Sequence, residues 1–368
     1  MIERWKIVQL ASRKISEAGV LITLVRAEGS SYRKPGARLL TIGNEYAGTI
    51  SGGCLEAEVI KKAAWTVRSG AVLEQYSTWF DDTAEIPYGL GCGGSVDLLL
   101  EQTETAEFAA LLQALKGSLA GIPATVVTWL PSETVPLRRA VLSAAGEVQF
   151  QSEELLAAEI EAALVEGMEN AFVENLVPPQ RLIIVGAGDD AKPLVAIAAL
   201  LGWRTTVVDG RAQLARAERF PEAHRVLAIQ AGRLDVIGIG SEDAVVLMTH
   251  SYEQDREWLA SMLPRAPRYF GVLGARHRSS LLVSEASELT GLSIAECCAR
   301  IHAPVGLDLG GDGPEAIALA VIAEVQACCM GKLPTSRRLS AIDIAAHIEY
   351  GGSARYLQSN CALELSGQ

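Results

Sequence analysis

RLIIVGAGDDAKPLVAIAAL, residues 181–200, is the stretch that decides the fold. An apolar strand is followed by a glycine-rich turn, and the small and apolar residues beyond the turn favour a helix. The turn matches the pattern G-x-G-x-x-G/A, with Gly186, Gly188 and Ala191 at the three marked positions. There the first glycine allows a tight turn, the second lets the backbone approach a pyrophosphate, and the third small residue lets helix and strand pack closely. The stretch predicts a Rossmann unit.

Asp209 ends the next apolar strand, RTTVVD. In dinucleotide-binding units an acid about 20 residues beyond the turn binds a ribose hydroxyl. Asp189 and Asp190, however, place two negative charges where a pyrophosphate would lie near the helix N-terminus. The ligand therefore stays open between NAD(P) or another nucleotide, a different molecule, and none.

Strands and helices alternate beyond this unit, which predicts a doubly wound parallel sheet. The expected strands are RLIIVGAG, RTTVVDG, HRVLAI, DAVVLMTH and RYFGVLG, and a last helix begins at Pro314 after the glycine-rich loop GLDLGGDG. His250 ends one of these strands, and Arg276 follows another. Because α/β ligands bind at the carboxyl ends of parallel strands, we expect both residues near a ligand crevice. His250 is equally consistent with a purely structural role.

The length of 368 residues exceeds one ordinary core, since a domain has roughly 150 residues. We divide the chain into a small α/β domain (residues 1–105), a connecting α/β segment (106–178), a Rossmann-like domain (179–335) and a C-terminal extension (336–368). In the connecting segment, PATVVTWL and RRAVLSAAGEVQF predict a β-hairpin. The fold class is α/β, with the Rossmann-like sheet in the C-terminal half.

The formal net charge of −12 argues against nucleic-acid and anionic-membrane partners, which require a basic surface. We find no signal-peptide pattern and no apolar run of about 18 residues. The cysteines number seven, an odd count, and two pairs are sequence neighbours. Such usage is typical of a reducing compartment, so we expect a cytoplasmic protein.

Two glycine-cysteine loops occur in the first domain. They are Ser51-Gly52-Gly53-Cys54 and Gly91-Cys92-Gly93-Gly94. A thiolate at a helix N-terminus is stabilised by unpaired N–H groups, and glycines leave backbone N–H groups free to cup an anion. Each cysteine alone is equally typical of a small buried side chain in a turn. Two such loops together favour a ligand site that contains thiols.

A third polar loop, GSSYRKPGAR, precedes the first of these loops. Its hydroxyl and cationic groups, among them Ser31 and Arg38, suit phosphate or other oxyanions. The alternative interpretation is an ordinary polar surface loop.

Taken together, these motifs resemble the XdhC/CoxI family. The matching pieces, in the family's order, are GSSYRKPGARLL, GTISGGCLEAEV, GLGCGGSVDLLLE, LIIVGAGDDAKPL, VVDGR, RFPEA, VVLMTHSYEQD, GVLGARHR and APVGLDLGGDGPEAIALAVIAEV. The resemblance implies a chaperone that binds and protects the molybdenum cofactor (molybdopterin). Its implied partners are a xanthine dehydrogenase-like or carbon monoxide dehydrogenase-like hydroxylase and a cysteine desulfurase, and it implies a homodimer.

The resemblance also implies roles for particular residues. Cys92, in the G-C-G-G loop, is the leading candidate for a contact with molybdenum, and Cys54 is the second. The family commonly has a histidine directly after the second glycine of the Rossmann turn. Here that position is Asp189, which weakens the transfer of any ligand role at the turn.

We therefore carry three hypotheses. The first is a cofactor-binding chaperone without turnover, supported by the two thiol loops and by the lack of a convincing acid-base constellation. The second is an NAD(P)-dependent oxidoreductase that uses Gly186, Gly188 and Asp209. The third is a scaffold whose Rossmann unit only builds a dimer.

Overall fold

The structure is a computed structural model that describes residues 1–29, 31–53, 55–77, 94–168, 170–333 and 335. The chain separates into two units at the Pro178-Pro179 pair. Each unit is described by itself.

An antiparallel five-stranded sheet begins the N-terminal unit. Its strands, in spatial order, are β3 (Glu45–Gly48), β2 (Arg38–Ile42), β1 (Gly19–Gly29), β5 (Gly94–Gln102) and β4 (Val72–Ser77). Helix α2 (Glu56–Thr66) packs on one face, where Val59 and Ala63 join a core with Ile22, Leu39 and Leu98.

A four-stranded antiparallel sheet completes this unit. In spatial order its strands are β8 (Val148–Gln151), β7 (Arg138–Ser143), β6 (Ala124–Trp129) and β9 (Ala171–Leu176). The β6–β7 pairing confirms the predicted hairpin. Helices α1 (Ile2–Arg13) and α3 (Ala106–Ala120) share a core with strands of both sheets, and α4 (Ala157–Val165) packs near β6 and β9.

The C-terminal unit contains the predicted parallel sheet. In spatial order its strands are β12 (Arg225–Ala228), β11 (Arg204–Asp209), β10 (Arg181–Val185), β13 (Ala244–Leu247) and β14 (Tyr269–Val272). All four neighbouring pairs are parallel. The chain starts at the central strand, moves to one edge, and then returns to the other side, so a switch point lies between β10 and β13.

Helices cover both faces of this sheet. They are α5 (Ala191–Leu200), α6 (Tyr252–Met262), α7 (Arg276–Thr290), α8 (Ile294–Arg300) and α9 (Pro314–Cys329). One core joins α5 and α9 to the sheet, and a second joins α6, α7 and α8 to it. Because both faces are covered, the central strands β10 and β13 are apolar along most of their length rather than alternating. None of the described helices is long and apolar enough to cross a bilayer.

Candidate functional site

The glycine-rich turn between β10 and α5 has a conformation that only glycine fits. Gly186 has a φ of +123°, and a Cβ there would lie 2.3 Å from the carbonyl oxygen of Met248. A Cβ on Gly188 would lie 2.4 Å from Oδ1 of Asp190. At Gly186 the turn thus packs closely against the backbone that follows β13. This contact places the start of α5 at the carboxyl end of that strand.

Asp209, the last residue of β11, is fully buried and braces the turn. Its Oδ2 accepts a hydrogen bond from the backbone N–H of Ala187 at 2.9 Å. The Arg211 guanidinium donates to both oxygens, from Nε to Oδ1 at 2.9 Å and from Nη2 to Oδ2 at 2.8 Å. Burial by itself raises the carboxyl pKa, but these hydrogen bonds outweigh it and the pKa of Asp209 is lowered. A ribose hydroxyl would have to displace Arg211, so this geometry does not fit the expected contact with NAD(P).

Asp189 is exposed, but its charge is matched within the turn. Its Oδ1 lies 2.7 Å from Nζ of Lys192 and accepts a hydrogen bond from Nη2 of Arg219 at 2.9 Å. Hydrogen bonds from Lys192 and Arg219 lower the pKa of Asp189. Arg219 also donates from Nη1 to the carbonyl oxygen of Ala187 at 2.6 Å. The tertiary fold therefore pairs one of the two negative charges expected at this turn with two cations.

Asp190 instead faces His250. Nε2 of the imidazole lies 2.7 Å from Oδ2 of Asp190. His250 has a φ of +62°, in the left-handed region that few residues other than glycine adopt. Its side chain is 62% exposed, so the ring is oriented by Asp190 and still open to a ligand. Strained backbone at an exposed imidazole is typical of a functional position.

A buried network fixes the segment before His250. The backbone N–H and the hydroxyl of Thr249 donate to Oδ1 of Asp255 at 3.2 and 2.6 Å. Asp255 is fully buried, and its other oxygen accepts a hydrogen bond from Nη2 of Arg278 at 2.7 Å. Because the carboxylate is held from both sides, the carboxyl end of β13 is rigid where it presents His250. The pairing of Asp255 with Arg278 is not visible in the sequence, since no short motif joins residues this far apart.

A pocket of about 210 Å³ opens at the switch point of the sheet. Three polar residues line it, namely Asp190, His250 and Asp312. Its other lining residues are Leu194, Val246, Met248, Leu273, Val305, Pro314, Ile317, Ala318 and Val321. This crevice is where open α/β sheets bind ligands. The residue Arg276, which we expected at the crevice, is exposed at the first residue of α7, and the described residues lining the pocket do not include it.

The Ser51-Gly52-Gly53 loop lies before α2 and is closed by its own side chains. The Glu56 carboxylate accepts hydrogen bonds from the backbone N–H groups of Ile50 and Ser51 and from the Ser51 hydroxyl. The Ser51 oxygen in turn accepts hydrogen bonds from the N–H groups of Gly53 and Leu55, each at 3.2 Å. These four backbone donors are thus already bonded within the loop. The unpaired N–H groups expected to stabilise a thiolate at this helix start are therefore not found among these four.

Gly52 and Gly53 nevertheless leave one side of this loop open. Gly53 has a φ of +109°, and a Cβ on it would meet no heavy atom of the described residues within 4 Å. A Cβ on Gly52 would lie 3.8 Å from the ring of Tyr32, whose side chain is highly exposed. The Tyr32 ring, in the loop GSSYRKPGAR, thus lies near the Gly52 backbone of the glycine-cysteine loop. In the same loop, the Ser31 hydroxyl donates to the carbonyl oxygen of Arg33 at 2.8 Å.

Arg38 is a structural residue rather than the oxyanion ligand we expected. It is 7% exposed, and its guanidinium makes a bidentate pair with Glu174 of the second sheet, with Nη1 2.9 Å from Oε1. Burial raises the pKa of Glu174, but the charge of Arg38 outweighs it and the pKa is lowered. The pair joins β2 to β9 across the N-terminal unit, so the guanidinium is not available to a ligand.

Several expected site residues, Cys54, Gly91, Cys92 and Gly93, lie outside the described residues. Gly94 begins β5 and pairs with Gly29 of β1. Within the described part of the chain, no group of three or more His, Cys, Asp or Glu side chains is arranged to hold a metal ion. The molybdenum contact expected for Cys92 stays a prediction.

Comparison with protein families gives two matches. The model described as the XdhC Rossmann domain matches residues 182–325, and the model described as the XdhC and CoxI family matches residues 13–77. The first match contains the pocket, and the second contains the Tyr32–Gly52 contact.

Curated relatives and a solved structure agree with these matches. The chain is 28% identical to a Bacillus subtilis protein named as a probable subunit of xanthine dehydrogenase, over 84% of this chain and 92% of the relative. It is 26% identical to the molybdenum cofactor insertion chaperone PaoD of Escherichia coli, over 84% of this chain and 83% of that protein. A crystal structure from Bacillus halodurans described as a xanthine dehydrogenase superposes with a TM-score of 0.75 and 26% identity, covering 92% of this chain and 99% of that one.

Proposed function

Because this chain belongs to the XdhC and CoxI family, we propose that it is a chaperone that binds the molybdenum cofactor, protects it, and delivers it to a molybdenum hydroxylase of the xanthine dehydrogenase or carbon monoxide dehydrogenase type. The printed name of the PaoD relative supports insertion of the cofactor, and the name of the Bacillus subtilis relative supports a hydroxylase of this type as the partner.

One observation carries the proposal. The pocket at the switch point is open, whereas the acid that would hold the ribose of a dinucleotide is buried and bonded to Arg211. An open pocket next to a turn whose acid is bonded to Arg211 supports a ligand other than NAD(P) at this unit. A chaperone that holds and releases a cofactor needs an open ligand site, but it does not need NAD(P) as a hydride carrier.

The N-terminal glycine-cysteine loops supply the thiols of the proposed function. We assign Cys92 and Cys54 as the thiols that contact the molybdenum end of the cargo, because soft thiolate ligands suit such a metal centre. The exposed ring of Tyr32 near Gly52 and the open side of Gly53 support this assignment, because they leave one side of the described part of the loop uncovered.

The proposal also includes a partner enzyme, a cellular compartment and an oligomeric state. A cysteine desulfurase would supply the terminal sulfur of the cofactor while the chaperone holds it. The chaperone would act in the cytoplasm as a homodimer. These parts are supported by the family, and the described residues neither require nor oppose them.

The test is transfer of the cofactor. Protein purified from cells that make molybdopterin should carry it, measured as its fluorescent oxidation product, and should activate an apo-hydroxylase. Cys92→Ala and Cys54→Ala should each lower the amount of bound cofactor. Cys298→Ala is the matched control, since Cys298 is an exposed thiol on α8 in the other unit. A wild-type protein that neither carries nor transfers cofactor would overturn the proposal.

A further inference from the structure

The pocket at the switch point is small and apolar inside. Its volume of about 210 Å³ is below the roughly 300–1,000 Å³ that encloses a drug-sized ligand. Its walls are aliphatic side chains and Met248, contributed by α5, β13, α9 and the segments after β13 and β14. Such a recess accommodates one flat ring system rather than a whole dinucleotide.

The polar rim of the pocket accepts hydrogen bonds more than it donates them. Among the described lining residues there is no Lys or Arg, and the charged groups are the carboxylates of Asp190 and Asp312 beside the His250 imidazole. Asp190 uses Oδ2 for His250. Asp312 is exposed at the rim, and its carboxylate has no hydrogen bond or ion pair with any described residue, so both of its oxygens are free to accept.

The two helices that begin at this rim do not make it an anion site. An isolated helix N-terminus attracts negative charge, but each of these helices brings its own carboxylate. Asp190 is the N-cap residue of α5, and Asp312 directly precedes Gly313, the N-cap residue of α9. A phosphate or an oxomolybdenum group entering here would meet two negative charges.

A carboxylate binds best to two adjacent N–H donors, in a bidentate pair. The 2-amino-4-oxopyrimidine ring offers that edge, with a ring N–H beside an amino group, and is otherwise flat and neutral. We propose that the pocket binds a 2-amino-4-oxopyrimidine ring, with Asp312 as the acceptor for the N–H edge and Asp190 and His250 orienting the ring.

This inference rests on the proposed function, because the pterin of molybdopterin carries this ring at the end opposite its phosphate and dithiolene. Guanine has the same edge, so a guanine nucleotide tail on the cofactor is the other source. In either case the anionic parts of the cargo would lie outside the pocket, and only the ring would enter it.

Binding of simple probes to the full chain tests the chemistry. Pterin and guanosine carry the amino group, whereas lumazine and inosine are nearly isosteric and lack it. We expect pterin or guanosine to bind at least about tenfold more tightly than its partner lacking the amino group, because a site that pairs with a donor discriminates against an analogue without it. Tighter binding of pterin identifies the pterin end as the occupant, and tighter binding of guanosine identifies the nucleotide tail.

Asp312→Asn keeps the shape of the rim and removes the charge. We expect it to weaken binding of the preferred probe about tenfold and to weaken lumazine and inosine by less, because they keep the ring N–H but lack the amino group. Asp308→Asn is the control, because Asp308 lies in the same exposed loop but is not among the described lining residues. It should leave the affinity for every probe unchanged.

Equal affinity for pterin and lumazine and for guanosine and inosine, or no effect of Asp312→Asn, would overturn the inference. So would tighter binding of inorganic pyrophosphate than of either ring. If any of these results is obtained while cofactor transfer persists, the chaperone function stands and only the ring assignment fails. If transfer is absent while the discrimination between pterin and lumazine is present, the chaperone function fails and the ring pocket stands.

Discussion

Nε2 of His250 lies 2.7 Å from Oδ2 of Asp190, although 60 residues separate them in the chain. The contact joins the end of β13 to the start of α5 and forms one side of the pocket. It places an oriented imidazole at the switch point of the sheet, where the backbone of His250 is held in a left-handed conformation.

Replacement of His250 by glycine should lower cofactor binding while leaving the free energy of unfolding nearly unchanged. Glycine relieves the positive φ but loses the hydrogen bond of an exposed side chain, so the free energy of unfolding should change by less than about 1 kcal/mol. Bound cofactor, measured after purification, should fall severalfold. Glu154→Gly is the matched control, since Glu154 has a φ of +64° in the other unit. An equal loss of cofactor in both variants would remove the assigned role of His250.

Gly186→Ala should destabilise the C-terminal unit strongly. The added Cβ meets the Met248 carbonyl at 2.3 Å in a conformation that alanine rarely adopts, so we expect a loss of at least about 3 kcal/mol in denaturant unfolding. Gly210→Ala is the control, because its Cβ would lie 3.4 Å from the nearest heavy atom, on Gln230. Its cost should stay below about 1 kcal/mol. Similar costs at both positions would contradict the close approach of the turn.

Asp209→Asn should lower the free energy of unfolding at neutral pH. It should also make that free energy fall less steeply as the pH is lowered. The folded pKa of Asp209 is lowered, so its contribution is present above the unfolded pKa, about 3.9, and is lost as the pH falls through the folded value. We expect a deficit of roughly 2–3 kcal/mol at pH 7 that narrows below about pH 4. The measurement is urea unfolding across that range.

A suitable control for that series is Asp235→Asn, at an exposed ion pair with Arg265. It should cost less than about 0.5 kcal/mol at pH 7. A deficit of Asp209→Asn that stays constant down to about pH 2 would show that the carboxylate is not the group responsible.

The Arg38–Glu174 pair should behave as a buried structural pair. Arg38→Ala leaves Glu174 buried without its partner and should cost about 3–5 kcal/mol. The double variant Arg38→Met with Glu174→Leu should recover most of that loss, because an apolar pair of similar size needs no partner charge. Arg13→Ala, at an exposed pair with Glu45, should cost less than about 0.5 kcal/mol. Loss of cofactor from a fully stable double variant would restore a ligand role for Arg38.

NADH and NADPH should not bind at millimolar concentrations, since the Asp209 carboxylate is occupied by Arg211. Titration calorimetry measures this, with a dehydrogenase of known affinity as the positive control. Micromolar binding that is abolished by Asp209→Ala would instead support the oxidoreductase hypothesis.

The sequence alone predicted the features that depend on neighbouring residues. The apolar strands, the glycines of the turn, the β6–β7 hairpin and the start of α9 at Pro314 are found where their patterns place them. Hydrophobic periodicity and allowed φ values are local properties, so a single chain reveals them. The position of His250 at the carboxyl end of a strand followed from the same patterns.

Only the tertiary structure decided which charged groups meet. Arg38 was expected to bind an oxyanion, but it pairs with Glu174, which is 136 residues away. Asp189 was expected to repel phosphate, but Lys192 and Arg219 neutralise it. Whether a charged side chain is free for a ligand depends on burial and on partners brought from distant segments, and no local pattern encodes that. Residues 181–200 were therefore enough to predict the Rossmann fold. Packing in the tertiary structure, by contrast, decided whether Asp190, Asp209 and Asp312 are available to a ligand.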